Sequence, residues 1–199
     1  MPATNQTLLD TPVPEVINMH TIIDDEDPRI RVRSMPVELP LSKEDEELLL
    51  KMHQYVIDSQ DEEKCENEEL LPAVGLAAIQ LGINKQMLAV YSGDLGKNSF
   101  SWALVNPKII SKSKITCHLK DGEGCLSVPD RHIGVVCRPA RIKVRAWDLL
   151  SRQDVVIDAI GYEAIVLQHE IDHLSGILYY DHIDLEHPTE PLPNSYEIG

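Results

Sequence analysis

The sequence predicts an α+β fold, with antiparallel β-sheets packed around a central helix near the C-terminus. Three observations carry that expectation. An apolar stripe at helical spacing lies early in the chain, at Leu48, Leu49, Met52, Tyr55 and Val56. Short β-branched and aromatic runs follow from Met87 onward, broken by Gly, Pro, Asn or Asp. A second helix signal comes after Gly161 and stops at Gly176. The links between the strand-like runs are mostly short, which favours antiparallel pairing over βαβ units.

With 199 residues, 43% of them hydrophobic and 26% charged, the chain suits one domain with a real core, so residues 1–199 are read as a single unit. No apolar run approaches the roughly 18 residues of a membrane span. The start, Met1-Pro-Ala-Thr-Asn-Gln, lacks the basic and apolar regions of a secretory signal, so a cytoplasmic protein is expected. The formal net charge is −15, concentrated early: residues 1–70 hold 18 acids and 6 bases, and no Lys or Arg follows Arg152. Such a surface repels phosphate backbones, so direct nucleic-acid binding is not expected.

Prolines at 2, 12, 14, 28, 36 and 40 argue against a long helix over residues 1–40, and 1–27 read as a loosely wrapped arm. Ser42 then looks like an N-cap followed by acids in the first turn, which starts a helix over about 42–58. Asp61 to Glu69 is too polar to pack and reads as a charged loop. Strands are expected at Met87–Tyr91, Trp102–Val105, Lys114–Leu119, Ile142–Trp147 and Val155–Ile160. The second helix covers about 162–175, and 186–199, with three prolines, form an extended, partly mobile tail. The four cysteines contain no CxxC pair, and Cys65, Cys117 and Cys137 read as small buried hydrophobes.

The strongest chemical signal is His169-Glu170-Ile171-Asp172-His173 on the second helix. Residues four apart share a helix face, so both imidazoles can reach one ion. Glu170 follows the first of them and can act on water without binding the ion. By itself the pattern is also compatible with two histidines on an exposed face. A catalytic site usually has three protein ligands and an open position. Glutamate-type HExxH proteases supply the third from downstream, but here the helix stops at Gly176, and Tyr179 stands where a third histidine of another protease class would fall. Cys125, in the Glu123-Gly124-Cys125-Leu126-Ser127 turn, is the upstream candidate, against a base-rate reading as a buried hydrophobe. A third segment, Ala73-Val74-Gly75-Leu76-Ala77-Ala78-Ile79-Gln80, has small residues that admit a ligand backbone and an amide that can donate; alone it is a weak signal.

Together, and in this order, these segments resemble those of the peptide deformylase family, over roughly residues 28 to 185, with a charged insertion before Ala73 like that of the longer, Gram-positive class. The resemblance implies Cys125, His169 and His173 as ligands of a divalent metal, Fe²⁺ in the usual native state, with Zn²⁺, Ni²⁺ or Co²⁺ as substitutes. It implies Glu170 as general base and acid, the Gln80 amide and Leu126 N–H as oxyanion donors, and Gly75 and Val74 as contacts to the substrate backbone. The implied substrates are N-formylmethionyl nascent peptides, with a transient ribosome contact compatible with that role. Their methionine side chain would enter an apolar pocket involving Ile165 and Val166. Two residues depart from the family pattern: Ala73 where glycine is usual and Ile79 where proline is frequent. Ala73 is expected on a strand beside the substrate, its methyl narrowing the cleft mouth, and Ile79 to loosen the segment before Gln80. An HExxH metalloprotease and a deformylase-like binding protein without turnover are the rival readings. The first has no use for Cys125; the second is opposed by intact Cys125, Glu170 and Gln80.

Overall fold

The computed structural model describes residues 11–93 and 96–199. Helix α1 spans Lys43–Asp58, and Ser42 caps it by accepting the Asp45 N–H at 3.1 Å. Its apolar stripe packs on one face of a five-stranded antiparallel sheet of order β1-β2-β3-β6-β7. The strands are β1 (Gly75–Ala77), β2 (Met87–Ser92), β3 (Phe100–Lys112), β6 (Arg141–Asp148) and β7 (Gln153–Ile160). Helix α3, Tyr162–His173, packs on the other face. Alternate residues therefore serve two cores: Met87 and Ala89 face α1, while Leu88 and Val90 face α3. A three-stranded sheet of order β5-β4-β8 flanks α3, and Ile165 of the helix meets Cys117 and Ala140 there. Its strands are β4 (Thr116–Leu119), β5 (Arg138–Pro139) and β8 (Ser195–Ile198). Helix α3, which carries His169 and His173, thus lies between sheets, as expected for the fold class.

Several local expectations are corrected. Residues 61–69 are not a loop: α2 covers Glu62–Glu68, with Asp61 accepting the Lys64 N–H at 3.2 Å. No residue of α2 is buried, so the cap and the helix preference of Glu and Lys hold it, and an apolar stripe gives no sign of it. Strand β3 runs on to Lys112 because a register shift between Val105 and Lys108 accommodates Asn106 at φ 51° and Pro107. Lys114 and Ile115 precede β4, which starts at Thr116. The expected tail is extended, but it is not loose at its end: β8 pairs in parallel with β4.

The N-terminal arm falls partly outside the described residues, at 1–10. From Thr11 onward the arm touches the body at Ile17, which is buried, and at Ile23, whose N–H donates to the Gln80 carbonyl at 2.8 Å, while its other residues stay partly or fully exposed. A 3-10 turn at Pro28–Arg31 docks on the end of α3. There the Ser34 N–H donates to the Leu174 carbonyl at 2.9 Å, and Arg31 pairs with Asp181. Gly176 (φ 72°) passes so close that a Cβ would lie 2.7 Å from the Arg31 carbonyl carbon. Among the described residues no helix is long and apolar enough to cross a membrane.

Candidate metal centre

The turn from Gly122 to Ser127 and the middle of α3 meet at the floor of a cleft of about 670 Å³. The ligand atoms of Cys125, His169 and His173 all lie within 4.8 Å of one another, and Cys125 Sγ is 3.2 Å from His173 Nε2. The i, i+4 spacing puts both imidazoles on one helix face, where their rings sit 5.0 Å apart. His169 uses Nδ1 to contact Glu123 Oε2 at 2.8 Å, which leaves Nε2 for the cluster. Burial opposes a charge on His169, yet the Cys125 thiol and the Glu123 carboxylate outweigh it and hold its pKa well above the ordinary histidine value. Positive charge is favoured there. His173 goes the other way: burial, then the His169 charge, push its pKa well below the usual value. One thiol and two imidazoles within one ion's reach fit a divalent transition metal by the chemistry of the donor set.

Glu123 is itself buried, and burial alone would raise its pKa; Arg138 and His169 hold it at about 2 instead. Arg138 reaches it with two bonds, Nε to Oε1 at 2.6 Å and Nη2 to Oε2 at 3.0 Å. The third guanidinium nitrogen donates to Asp172 Oδ2 at 2.7 Å, which also contacts His182 Nε2 at 2.7 Å. This row of charges fixes the imidazole of His169, and no sequence motif assigned a role to Arg138, Asp172 or His182. Asp172 lies one helical step from His169, which is a usable signal; Arg138 sits on another strand and has none nearby.

Glu170 is 4% exposed, and burial raises its pKa to about 7, with the His169 charge working against the rise. Its Oε2 has no hydrogen-bond partner among the described residues. The carboxyl packs against Gly75, where a Cβ would lie 2.6 Å from the Glu170 carboxyl carbon. A side chain at 75 would therefore force the Glu170 carboxyl behind it to shift. Gln80 is 1% exposed. Its Oε1 accepts the Ala77 N–H at 2.8 Å, which turns Nε2 toward Ser127 Oγ at 3.3 Å and Cys125 Sγ at 3.7 Å. The Leu126 N–H donates to no acceptor among the described residues. Val74, Gly75, Leu126, Ile165 and Val166 all line the cleft, together with Tyr162 and Val128.

Both departures in the first segment are reinterpreted. Ala73 is not on a strand, since β1 begins at Gly75, and its N–H and C=O are both taken by Ser59 Oγ at 3.2 and 3.3 Å. Ile79 does not loosen its segment: it is fully buried in the core beneath α3, inside the 3-10 turn Ala78–Leu81 that carries Gln80. Packing supplies the restraint that a proline ring would otherwise give.

Comparison with known proteins identifies the family. The sequence model of the polypeptide deformylase family matches residues 19–189. A peptide deformylase of Oceanobacillus iheyensis is 45% identical over 183 residues, 92% of this chain and all of that protein. Peptide deformylase 2 of Bacillus subtilis is 43% identical over 183 residues, covering 92% of this chain and 99% of its own length. Among solved structures, the peptide deformylase of Ehrlichia chaffeensis superposes with a TM-score of 0.67 at 28% identity, over 87% of this chain and 91% of that one. With Cys125, His169 and His173 gathered on one floor and the family model spanning nearly all of the described residues, the chain belongs to the polypeptide deformylase family, whose members are metal-dependent hydrolases.

Proposed function

We propose that the chain hydrolyses the formamide at the N-terminus of N-formylmethionyl nascent peptides, in the cytoplasm and with Fe²⁺ as its native ion. The observation that supports this most is the buried Glu170 carboxyl beside the Cys125–His169–His173 cluster, with Gly75 and Gln80 on the facing wall. Those three side chains would hold the ion. When bound, a divalent metal supplies the Lewis acidity that makes water acidic enough to yield hydroxide near neutrality.

The remaining work falls to the chain's own groups. Glu170, with a pKa near neutrality, takes a proton from the attacking water as its oxygen bonds to the formyl carbon. The C–N bond then breaks as Glu170 returns the proton to the amine nitrogen, and the acid leaves with water's second hydrogen, ionising to formate and a proton that the free amine takes up. Negative charge gathers on the former formyl oxygen in between. Gln80 Nε2 and the Leu126 N–H are the donors for it, each such donor contributing about 3 kcal/mol in comparable sites. Val74 and Gly75 pair with the peptide backbone, and Ile165 and Val166 contribute to the apolar pocket for methionine.

Anaerobic purification, metal analysis and a formate-release assay on a formyl-Met-Ala peptide test this reading together. Formate release with one equivalent of metal is expected; a full metal site with no release would favour a binding protein. A thiolate ligand is open to oxidation when iron is bound, so activity should decay in air and be protected by nickel replacement. Equal stability of the two metal forms in air would remove iron as the native ion. Ribosome contact is tested separately, by co-sedimentation with ribosomes carrying a formylated nascent chain.

A further inference from the structure

We propose that Gln60, at the end of α1, is a positioning residue that keeps the Val74 N–H free for the peptide by occupying the Tyr91 carbonyl. The argument starts from strand pairing. Gly75 stands opposite Val90 and Leu76 opposite Ala89, and the Tyr91 N–H donates to the Val74 carbonyl at 3.0 Å. In an antiparallel ladder, a residue pair of this kind exchanges two bonds. The return bond, from the Val74 N–H to the Tyr91 carbonyl, is not made; the Gln60 amide takes that carbonyl at 2.8 Å instead.

Gln60 Nε2 also lies 3.2 Å from the Ala73 carbonyl and 3.1 Å from the Val56 carbonyl. Three carbonyl acceptors around one amide nitrogen fix which way the side chain points. The rest of the edge is already committed. Ser59 Oγ takes both backbone groups of Ala73, and the Gln80 side chain takes the Ala77 N–H. By ladder alternation the N–H and C=O of Gly75 point away from β2, outward from an edge strand. Val74 is a bend just before β1, so its N–H is not held to the ladder's alternation; among the described residues of this wall, Val74 N–H and Gly75 are what remains for a peptide, and both residues and Gln60 line the cleft. Without Gln60, the Tyr91 carbonyl would draw Val74 N–H into the ladder and away from the peptide.

This inference rests on the deformylase reading, and two variants separate the two. Gln60→Leu removes the donor; Gln60→Glu keeps the shape but places an acceptor among three carbonyls. Each should raise KM for a formyl-Met-Ala peptide about fivefold, the size of one lost backbone hydrogen bond, with kcat within about twofold. Metal content should be unchanged. Val74 amide exchange, read by NMR, should slow about tenfold in both variants as the N–H enters the ladder. A Gln60→Glu protein with wild-type KM and exchange would reduce Gln60 to a packing residue and overturn the proposal, as would a fall in kcat equal to the rise in KM. Unaltered variants of an active wild type overturn this inference alone. Wild-type protein with a full metal site and no formate release overturns both.

Discussion

The wall of the cleft that carries Cys125, His169 and Glu170 is held by buried charge, whereas the wall from Leu71 to Gln80 is held by single hydrogen bonds to backbone. On the first, Glu123, Arg138 and Asp172 compensate one another away from water, so each is needed by the rest. Breaking one member of such a set leaves a buried charge uncompensated. On the second, Ser59, Gln60 and the Gln80 side chain each tie down one or two main-chain groups. A loss there removes about 1 kcal/mol and leaves the fold in place. The difference teaches where the site is set by chemistry and where it is tuned for its substrate.

The charged wall should give the largest effects. Cys125→Ala is expected to abolish stoichiometric metal binding, measured by elemental analysis, because two imidazoles hold an ion poorly. A full equivalent in that variant would move the site elsewhere. Glu170→Gln should keep its metal and lose about 10²-fold or more in kcat, since an amide cannot accept the proton; near-normal turnover would remove Glu170 from the mechanism.

Glu123→Gln should lower the unfolding free energy by about 3 kcal/mol in urea titrations, by leaving the buried Arg138 with Asp172 as its one remaining carboxylate among the described residues. The sign of its pH dependence follows from a folded-state pKa held at about 2, below the ordinary value of 4.5. Its stabilisation is present above pH 4.5 and is lost as pH falls toward 2. Wild type should therefore lose stability over that window more steeply than the variant, and parallel curves would show that Glu123 is not ionised in the fold.

Gly75 is where the two walls touch, so it tests the comparison directly. Gly75→Ala should push the Glu170 carboxyl aside and cost about 10-fold or more in kcat, with little change in melting temperature. A pure KM effect would mean that the substrate, not Glu170, needs the space. Ala73→Gly should do least: with both backbone groups tied to Ser59, KM is expected to change by less than about twofold. A several-fold drop in KM would restore the view that the Ala73 methyl narrows the cleft.

What the sequence disclosed divides along the same line. His169, Glu170 and His173 could be placed together because four-residue spacing on a helix is a local property. Glu123-Gly124-Cys125 and Gln80 were legible as segments, though their meeting with α3 came from resemblance, not from spacing. The Arg138 bridge was invisible, since a guanidinium that crosses from β5 to α3 leaves no periodicity behind. Gln60 was likewise hidden, as its three partners lie on α1, the segment before β1 and β2. The apolar patterns of α1 and β2 were read well because both faces of the sheet are covered there. Helix α2 and strand β8 were missed because neither buries a stripe.

The docking of residues 28–34 on the end of α3 bears on how the molecule comes to be folded. Arg31 and Gly176 meet across a separation of 145 residues. Loop closure costs only about 0.6 kcal/mol for each doubling of length, so the contact is affordable at equilibrium. Rates respond differently, because distant contacts must be found before they reward the search. The helix that presents His169 and His173 can begin from its own turn at Gly161, but its last carbonyl at Leu174 waits for Ser34. The contact of the N-terminal segment with the end of α3 is thus a closure of the kind that weighs on folding rate more than on stability.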